Sequence, residues 1–389
     1  MCISMNHTSL SALALSPFAL ACALAGSTGP ALAQAAPPQT VAQFPGATPI
    51  GVTVSRAGRI FLSFPRAFDV GPYDVAEIKN GVPVPYPNAA VNRLSALPLS
   101  QRLVSVQGLT VDANDRLWLL DLGIIKTAPT SLGGPKLVAV DLKTNKIVQT
   151  IIFPRTVAGP NAYLNDVRVD LQLGKAGTAF ITDSSEKGPN GIVVVDLATG
   201  ASQRRLDDHP STKAEPGFTP VVEGQPLLKR MKGMPPQHDK TGADGLTLTP
   251  DGKYLYYCPN EGHHLYRVSA AALADPSQTE AQVEATVENL GDKGFASDGI
   301  EADSQGYVYL TDYEHNAVKR RSPTGQYETI VSGPNIIWPD SIAFGPDGFM
   351  YFTADQLNRQ AKYHYGKDLR KKPIPLYRFD VGSQPVMLK

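Results

Sequence analysis

The chain has 389 residues in which 36 Lys and Arg balance 36 Asp and Glu. That balance leaves no electrostatic excess to hold nucleic acid or an anionic membrane, so a small neutral or mixed-charge molecule is the expected partner. With 34 glycines, 33 prolines and only 19% charged residues the composition suits a turn-rich all-β chain, and beyond the leader no apolar stretch is long enough to span a bilayer.

Residues 1–33 read as a signal peptide: an apolar run ends in Ala31-Leu32-Ala33, a small-x-small cleavage pattern before Gln34. Its n-region has no Lys or Arg, and His7 is its only candidate cation. A secreted or periplasmic protein is expected, with lipid attachment through Cys22 as an alternative that Ala-Leu-Ala before that cysteine fits poorly. Cleavage leaves Cys258 as the only cysteine, so the mature chain forms no internal disulfide, and Cys258 itself reads as a small buried hydrophobe.

Six times along residues 34–389 a short apolar strand, a Gly/Asp turn and a second strand rich in Leu, Tyr and Phe recur. The copies are GVTVSRAGRIFLSFP from Gly51, GLTVDANDRLWLLD from Gly108, NDVRVDLQLGKAGTAFITD from Asn165, DGLTLTPDGKYLYYCPN from Asp244, DGIEADSQGYVYLTD from Asp298 and DSIAFGPDGFMYFTAD from Asp340. They lie 42 to 79 residues apart, near the ~40–50 residues of one four-stranded blade, and predict a six-bladed β-propeller as a single domain. In blade four, GLTLTP, KYLYYCP, HLYRVS and QVEATVENL are the expected strands from inside to outside, on period-2 alternation and turn residues. Blade six is one strand short, and VAQFPG at Val41–Gly46 is expected to close the ring by supplying it.

In a propeller, the connection from one blade's outer strand to the next blade's inner strand always crosses the same face and ends beside the axis. The residues there are Ile50, Gln107, Asn165, Asp244, Asp298 and Asp340. Three facing carboxylates repel, so at least one must keep its proton or the group must hold a cation. Asp244, Asp298 and Asp340 are therefore the candidate catalytic residues and Gln107 and Asn165 candidate ligand contacts, although the D-G pairs of blades four and five read equally well as turn caps. Tyr163 and Trp338 each precede a ring residue by two positions and are placed to stack a planar ligand; for Trp338, filling the seam between blades is the alternative. Asp121, Asp183, Asp312 and Asp355 follow second strands and read as carboxylates that fix loops. The loop 207–243, with six prolines, reads as a lid over this face, from which His238 is the candidate acid or base.

No Walker loop, dinucleotide fingerprint, HExxH, paired CxxC or GxSxG motif is present. Several stretches resemble the major royal jelly protein and Yellow family: EIKNGVPVPYPNAAVN from Glu77, GLTVDANDRLWLLDLG, PKLVAVDLKTNKIVQTIIFP from Pro135, YLNDVRVD followed by AFITDSS, GIVVVDLATGASQRRLDDHPS, and IIWPDSIAFGPDG. The resemblance implies a secreted six-bladed propeller binding small molecules in its channel, aromatic amines or catechol derivatives among them, and for some Yellow proteins dopachrome tautomerisation. Insect members usually carry disulfides, which the single mature cysteine excludes here.

The wider superfamily, with gluconolactonases and regucalcin-like proteins, implies a second reading. Here Asn165, Asp244 and Asp298 hold Ca2+, the metal polarises a lactone carbonyl and Asp340 activates water; blade one, with GATPIGV, lacks the acidic ligand of that group. A tautomerase or pure binding protein, a calcium-dependent lactonase, and a non-catalytic scaffold are thus the three expectations.

Overall fold

Each apolar run and its Gly/Asp turn folds back as an antiparallel pair, and a third and fourth strand extend each pair outward into a twisted blade. This computed structural model describes Met1 and residues 37–389 apart from 127, 129, 131 and 132. The expected signal peptide and its cleavage site lie outside the described residues. Among them no helix is long and apolar enough to cross a membrane.

From axis to rim, blade one is Val52–Val54, Ile60–Ser63, Val75–Lys79 and Val82–Pro85, and blade two Val106–Val111, Arg116–Asp121, Lys136–Asp141 and Lys146–Ile152. Blade three is Leu164–Asp170, Thr178–Asp183, Gly191–Asp196 and Ser202–Arg205, and blade four Ala243–Leu248, Tyr254–Pro259, His264–Ser269 and Glu288–Asp292. Blade five is Ile300–Ala302, Val308–Asp312, Ala317–Arg321 and Tyr327–Ser332. Blade six joins Pro339–Phe344, Phe349–Ala354 and Ile374–Asp380 to the N-terminal strand Gln39–Phe44, which runs antiparallel to Ile374–Asp380. The expected closure is thus observed, and it covers an edge that would otherwise present unpaired backbone groups.

Blade four departs from expectation in one element. QVEATVENL is not its outer strand: Thr279 and Gln282 form a reciprocal capping box that starts the short helix Glu280–Glu284, and the strand begins only at Glu288.

Two devices press the blades together around the axis. Second-strand hydroxyls reach the next blade's inner strand: Ser63 Oγ donates to the Gln107 carbonyl, Thr182 Oγ1 to that of Asp244 and Thr353 Oγ1 to that of Ile50. The glycine after a ring residue also makes room for a neighbour's backbone. A Cβ on Gly108 would sit 2.5 Å from the Asn165 carbonyl oxygen, one on Gly245 2.4 Å from that of Asp298, and one on Gly299 2.1 Å from that of Asp340. The D-G pairs are therefore packing features of the inner strands rather than turn caps.

The segment between blades three and four holds a short 3-10 turn, Pro210–Thr212, and a hairpin of Val221–Val222 with Gln225–Pro226. At the opposite end of the channel the C-terminal tail crosses the inner strands, with Ser304 N donating to Gln384 O and Leu171 N to Leu388 O.

Candidate functional site

The ring residues face the axis because the backbone is broken there. In blades two, three, four and six the register slips at the pairs Gln107-Gly108, Asn165-Asp166, Asp244-Gly245 and Asp340-Ser341. A bulge turns a side chain out of the regular pleat, and such irregularities are common beside sites. Gln107, Asn165, Asp244, Asp298 and Asp340 are thereby gathered, while blade one contributes the aliphatic Ile50.

The carboxyl groups form two hydrogen-bonded pairs. Asp244 donates to Asp298, and burial followed by the neighbouring charges of Asp298 and Asp166 holds Asp244 well above the usual carboxylate range. Burial also raises Asp298, but only to about 6, because Trp338, Asn260 and Asp244 all donate hydrogen bonds to it. The Trp338 bond is short, with Nε1 2.6 Å from Asp298 Oδ2. In the second pair Asp340 donates to Asp355: burial and the charges of Asp298 and Asp355 hold Asp340 well above its ordinary range, and burial lifts Asp355 to about 8. Asp355 Oδ2 is buried with no other partner, so it is satisfied by a proton shared within the Asp340–Asp355 pair.

The other half of the ring is neutral and its hydrogen bonds run in one direction. Tyr163 OH donates to Gln107 Oε1 at 3.2 Å, Gln107 Nε2 to Asn165 Oδ1 at 3.2 Å, and Asn165 Nδ2 to Ser184 Oγ at 3.0 Å. Burial and the facing aspartates Asp244, Asp340 and Asp298 push the Tyr163 hydroxyl well above its ordinary pKa, so it stays protonated. Below the ring, Arg168 bridges Asp166 and Glu301 at 2.9 Å each.

Trp338 is 2% exposed and lies flat on Tyr313, ring centres 4.0 Å apart at 9°. It fills the seam between blades five and six and holds Asp298; it is not an open stacking platform. His238 is not brought to the ring either. It is exposed and bonds Thr219 within its own loop, Nδ1 to Oγ1 at 2.7 Å.

Sequence reasoning missed Asn260, Tyr313 and the true place of Asp355, and one signal finds them together. Inner-strand pairing equates Asp121, Asp183, Pro259 and Ala354. Asp121 and Asp183 indeed fix loops, accepting backbone N–H groups and pairing with Lys136 and Arg204. Asp355 lies one residue further along, level with Ser184 and Asn260, and a one-residue step in a strand turns a side chain to the opposite face. It therefore joins the ring through Asp340, while its Oδ1 still fixes the following loop by accepting from Leu357 N at 3.2 Å.

The 207–243 loop lies over this half of the face. Val222 and Leu227 share one buried apolar cluster with Tyr313, Trp338 and Tyr363, Glu223 pairs with Arg359 at 2.6 Å, and Lys229 pairs with Asp239 at 2.6 Å and with Glu186.

Calcium finds no cage in this arrangement. Among the described residues no group of three or more His, Cys, Asp and Glu is placed to hold a metal ion. The oxygen that Asn165 would offer is engaged by Gln107, Asp244 and Asp298 turn toward each other, and Ile50 stands where an acid is needed.

Comparison with known proteins agrees with this architecture. Residues 104–380 match the major royal jelly protein family. Major royal jelly protein 3 of Apis mellifera is 26% identical over 185 residues, 47% of this chain and 31% of that protein. The L-dopachrome tautomerase yellow-f of Drosophila melanogaster is 28% identical over 142 residues, 34% of this chain and 32% of that protein. The chain thus spans about a third of the length of these curated relatives. Regucalcin from Agrobacterium tumefaciens, described as a calcium-binding protein, aligns at 16% identity with a TM-score of 0.53, over 92% of this chain and all of that one, which shows a shared fold. With its six blades and a family match over most of its length, the chain belongs to the major royal jelly protein family.

Proposed function

We propose that this protein is an exported tautomerase that binds a small aromatic-derived carbonyl compound at the mouth of its channel. The observation that carries the reading is the buried Asp244–Asp298 pair, in which burial and neighbouring charge hold Asp244 well above the carboxylate range while the Trp338 indole N–H on Asp298 keeps that carboxyl lower, at about 6. Such a pair supplies a general base and a proton donor at one place. Asp298 takes the proton from a carbon conjugated with the carbonyl, the C–H electron pair enters the conjugated system as a new C=C bond, and the carbonyl oxygen receives the proton of Asp244. The product is the enol tautomer. Passage of the captured proton from Asp298 to Asp244 along their hydrogen bond restores both groups, with no net proton gained or lost. Gln107, Asn165 and Tyr163 offer neutral hydrogen-bonding groups for the rest of the ligand, and the likeness to an L-dopachrome tautomerase supports this reaction class.

The test is turnover of L-dopachrome. Wild type is expected to be active, with Asp298→Asn and Asp244→Asn each slowed by about 10²-fold or more, whereas Asp347→Asn, in the turn that joins Pro339–Phe344 to Phe349–Ala354 at the far end of that strand from Asp340, behaves as wild type. Activity is expected to fall as the pH drops through about 6, where Asp298 takes up its proton. Undiminished turnover in both ring variants overturns the assignment, and a wild type that binds the compound without converting it identifies a binding protein instead. Export rests on the leader, and the expected outcome of N-terminal sequencing of the mature protein is Gln34; retention of Met1 contradicts it.

A further inference from the structure

Trp338 has a backbone φ of 52°, a left-handed conformation that bulky side chains avoid. A residue stays there only where its surroundings over-determine it, and here three contacts do so. The indole is stacked on Tyr313, its N–H donates to Asp298 Oδ2 at 2.6 Å, and both rings share a buried apolar cluster with Val222 and Leu227 of the 207–242 loop. The Trp338 carbonyl also accepts from Asp355 N at 3.1 Å, which ties this residue to the second carboxyl pair.

The start of the loop is anchored on blade four, where Ser211 Oγ lies 2.6 Å from Tyr257 OH and Glu215 Oε1 accepts from His264 N at 2.8 Å, whereas its tip is fastened largely through its periphery. Val221 N donates to Glu314 Oε1 at 3.0 Å, Glu223 pairs with Arg359, and Arg230 exchanges backbone bonds of 2.8 Å with Lys362 and Tyr365. None of these bonds at the tip is a ladder bond of a blade, so residues 218–230, with Val222 and Leu227, can lift while every four-stranded sheet stays intact.

We propose that Trp338 is a positioning residue through which the seating of the 207–242 loop holds the Asp298 carboxylate in place. A seated loop presses Val222 and Leu227 onto the Tyr313–Trp338 stack and keeps the indole N–H on Asp298. A lifted loop uncovers the stack, frees Trp338 to leave its left-handed conformation and withdraws the hydrogen bond. The base is thereby assembled only under a closed lid. Its catalytic consequence rests on the tautomerase reading above, but the physical link from loop to carboxylate does not.

The chain has two tryptophans, and both indoles bond an aspartate, which provides a built-in control. Trp118 Nε1 donates to Asp112 Oδ2 at 2.9 Å within blade two, away from the loop. In an NMR spectrum of protein labelled at the indole nitrogens, assigned with Trp338→Phe, the Trp338 N–H is expected far downfield and slow to exchange, as a short charge-assisted bond requires. Asp298→Asn is expected to move that signal toward free indole. Val222→Ser combined with Leu227→Ser, or Leu227→Ser alone if the pair destabilises the fold, is expected to move it the same way and speed its exchange by about tenfold or more, with Trp118 unchanged. A Trp338 signal indifferent to the loop substitutions overturns the link, as does an equal shift of Trp118, which reports general loosening. Because this readout needs no substrate, its failure is separate from a failure of L-dopachrome turnover. If both readings hold, Trp338→Phe lowers kcat for L-dopachrome with little change in KM.

Discussion

Protons at this site are distributed by what each carboxyl can accept. Asp298 is held by an indole N–H and an amide and so tolerates charge, whereas Asp244 and Asp340 face other carboxyls and keep their protons. A consequence for stability follows from Asp355 and from Glu261, both lifted by burial to about 8. A carboxyl whose pKa is raised on folding binds more protons in the native state than in the unfolded chain, between the ordinary range near 4 and its raised value. The stability it contributes is therefore complete below about pH 4 and lost as the pH climbs to about 8. The urea midpoint is expected to be lower at pH 8.5 than at pH 5.5, and Asp355→Asn is expected to flatten that dependence; a midpoint that rises with pH over this interval contradicts the assignment.

Among elements, the inner strand of each blade carries both the site and its cost. The bulges that aim Gln107, Asn165, Asp244 and Asp340 inward leave neighbouring backbones within van der Waals contact, and glycine is the residue that fits between them. Gly299→Ala forces a Cβ to 2.1 Å from the Asp340 carbonyl oxygen, and overpacking of this kind costs about 1–3 kcal/mol. Gly46→Ala, with nothing within 4 Å of the new Cβ, is the matched control and is expected to be near neutral. Denaturant unfolding of the two variants checks this, and equal stability would remove the packing account of the D-G pairs. The misread outer strand of blade four belongs to the same scale: QVEATVENL alternates as a strand does, but Thr279 caps three residues upstream of Gln282, and the local capping bonds decide for helix.

Across the molecule, closure decides whether the ring exists at all. Gln39–Phe44 is the rim strand of blade six although it lies at the other end of the chain, and Ala42 and Phe44 are buried against blade one residues such as Phe64. Removing residues up to Phe44 exposes the Ile374–Asp380 edge and uncovers that apolar cluster, and is expected to give aggregated or partly unfolded protein. Size-exclusion chromatography and amide exchange check the prediction; a truncated monomer with native exchange in blade six would contradict it. The loop over the channel mouth is secured to the rest of the molecule by partly exposed ion pairs, Glu223 with Arg359 and Lys229 with Glu186. Salt screens such pairs, so protease cleavage within 207–242 is expected to quicken at high ionic strength while the blades remain resistant.

Six recurring strand–turn–strand units, the strand that closes the ring and the order of residues around its mouth were legible in the chain itself. Alternation, turn residues and the invariant topology of a propeller are local or combinatorial, and they place Gln107, Asn165, Asp244, Asp298 and Asp340 on one circle without reference to any contact. Only the folded molecule decided what those residues do. The step that brings Asp355 to Asp340, the amide of Asn260 and the indole of Trp338 that let Asp298 ionise first, and the turn of Asn165 toward Gln107 all depend on side chains from different blades. Burial and neighbouring charge set a carboxyl's protonation, and both are properties of the assembled ring rather than of any strand within it.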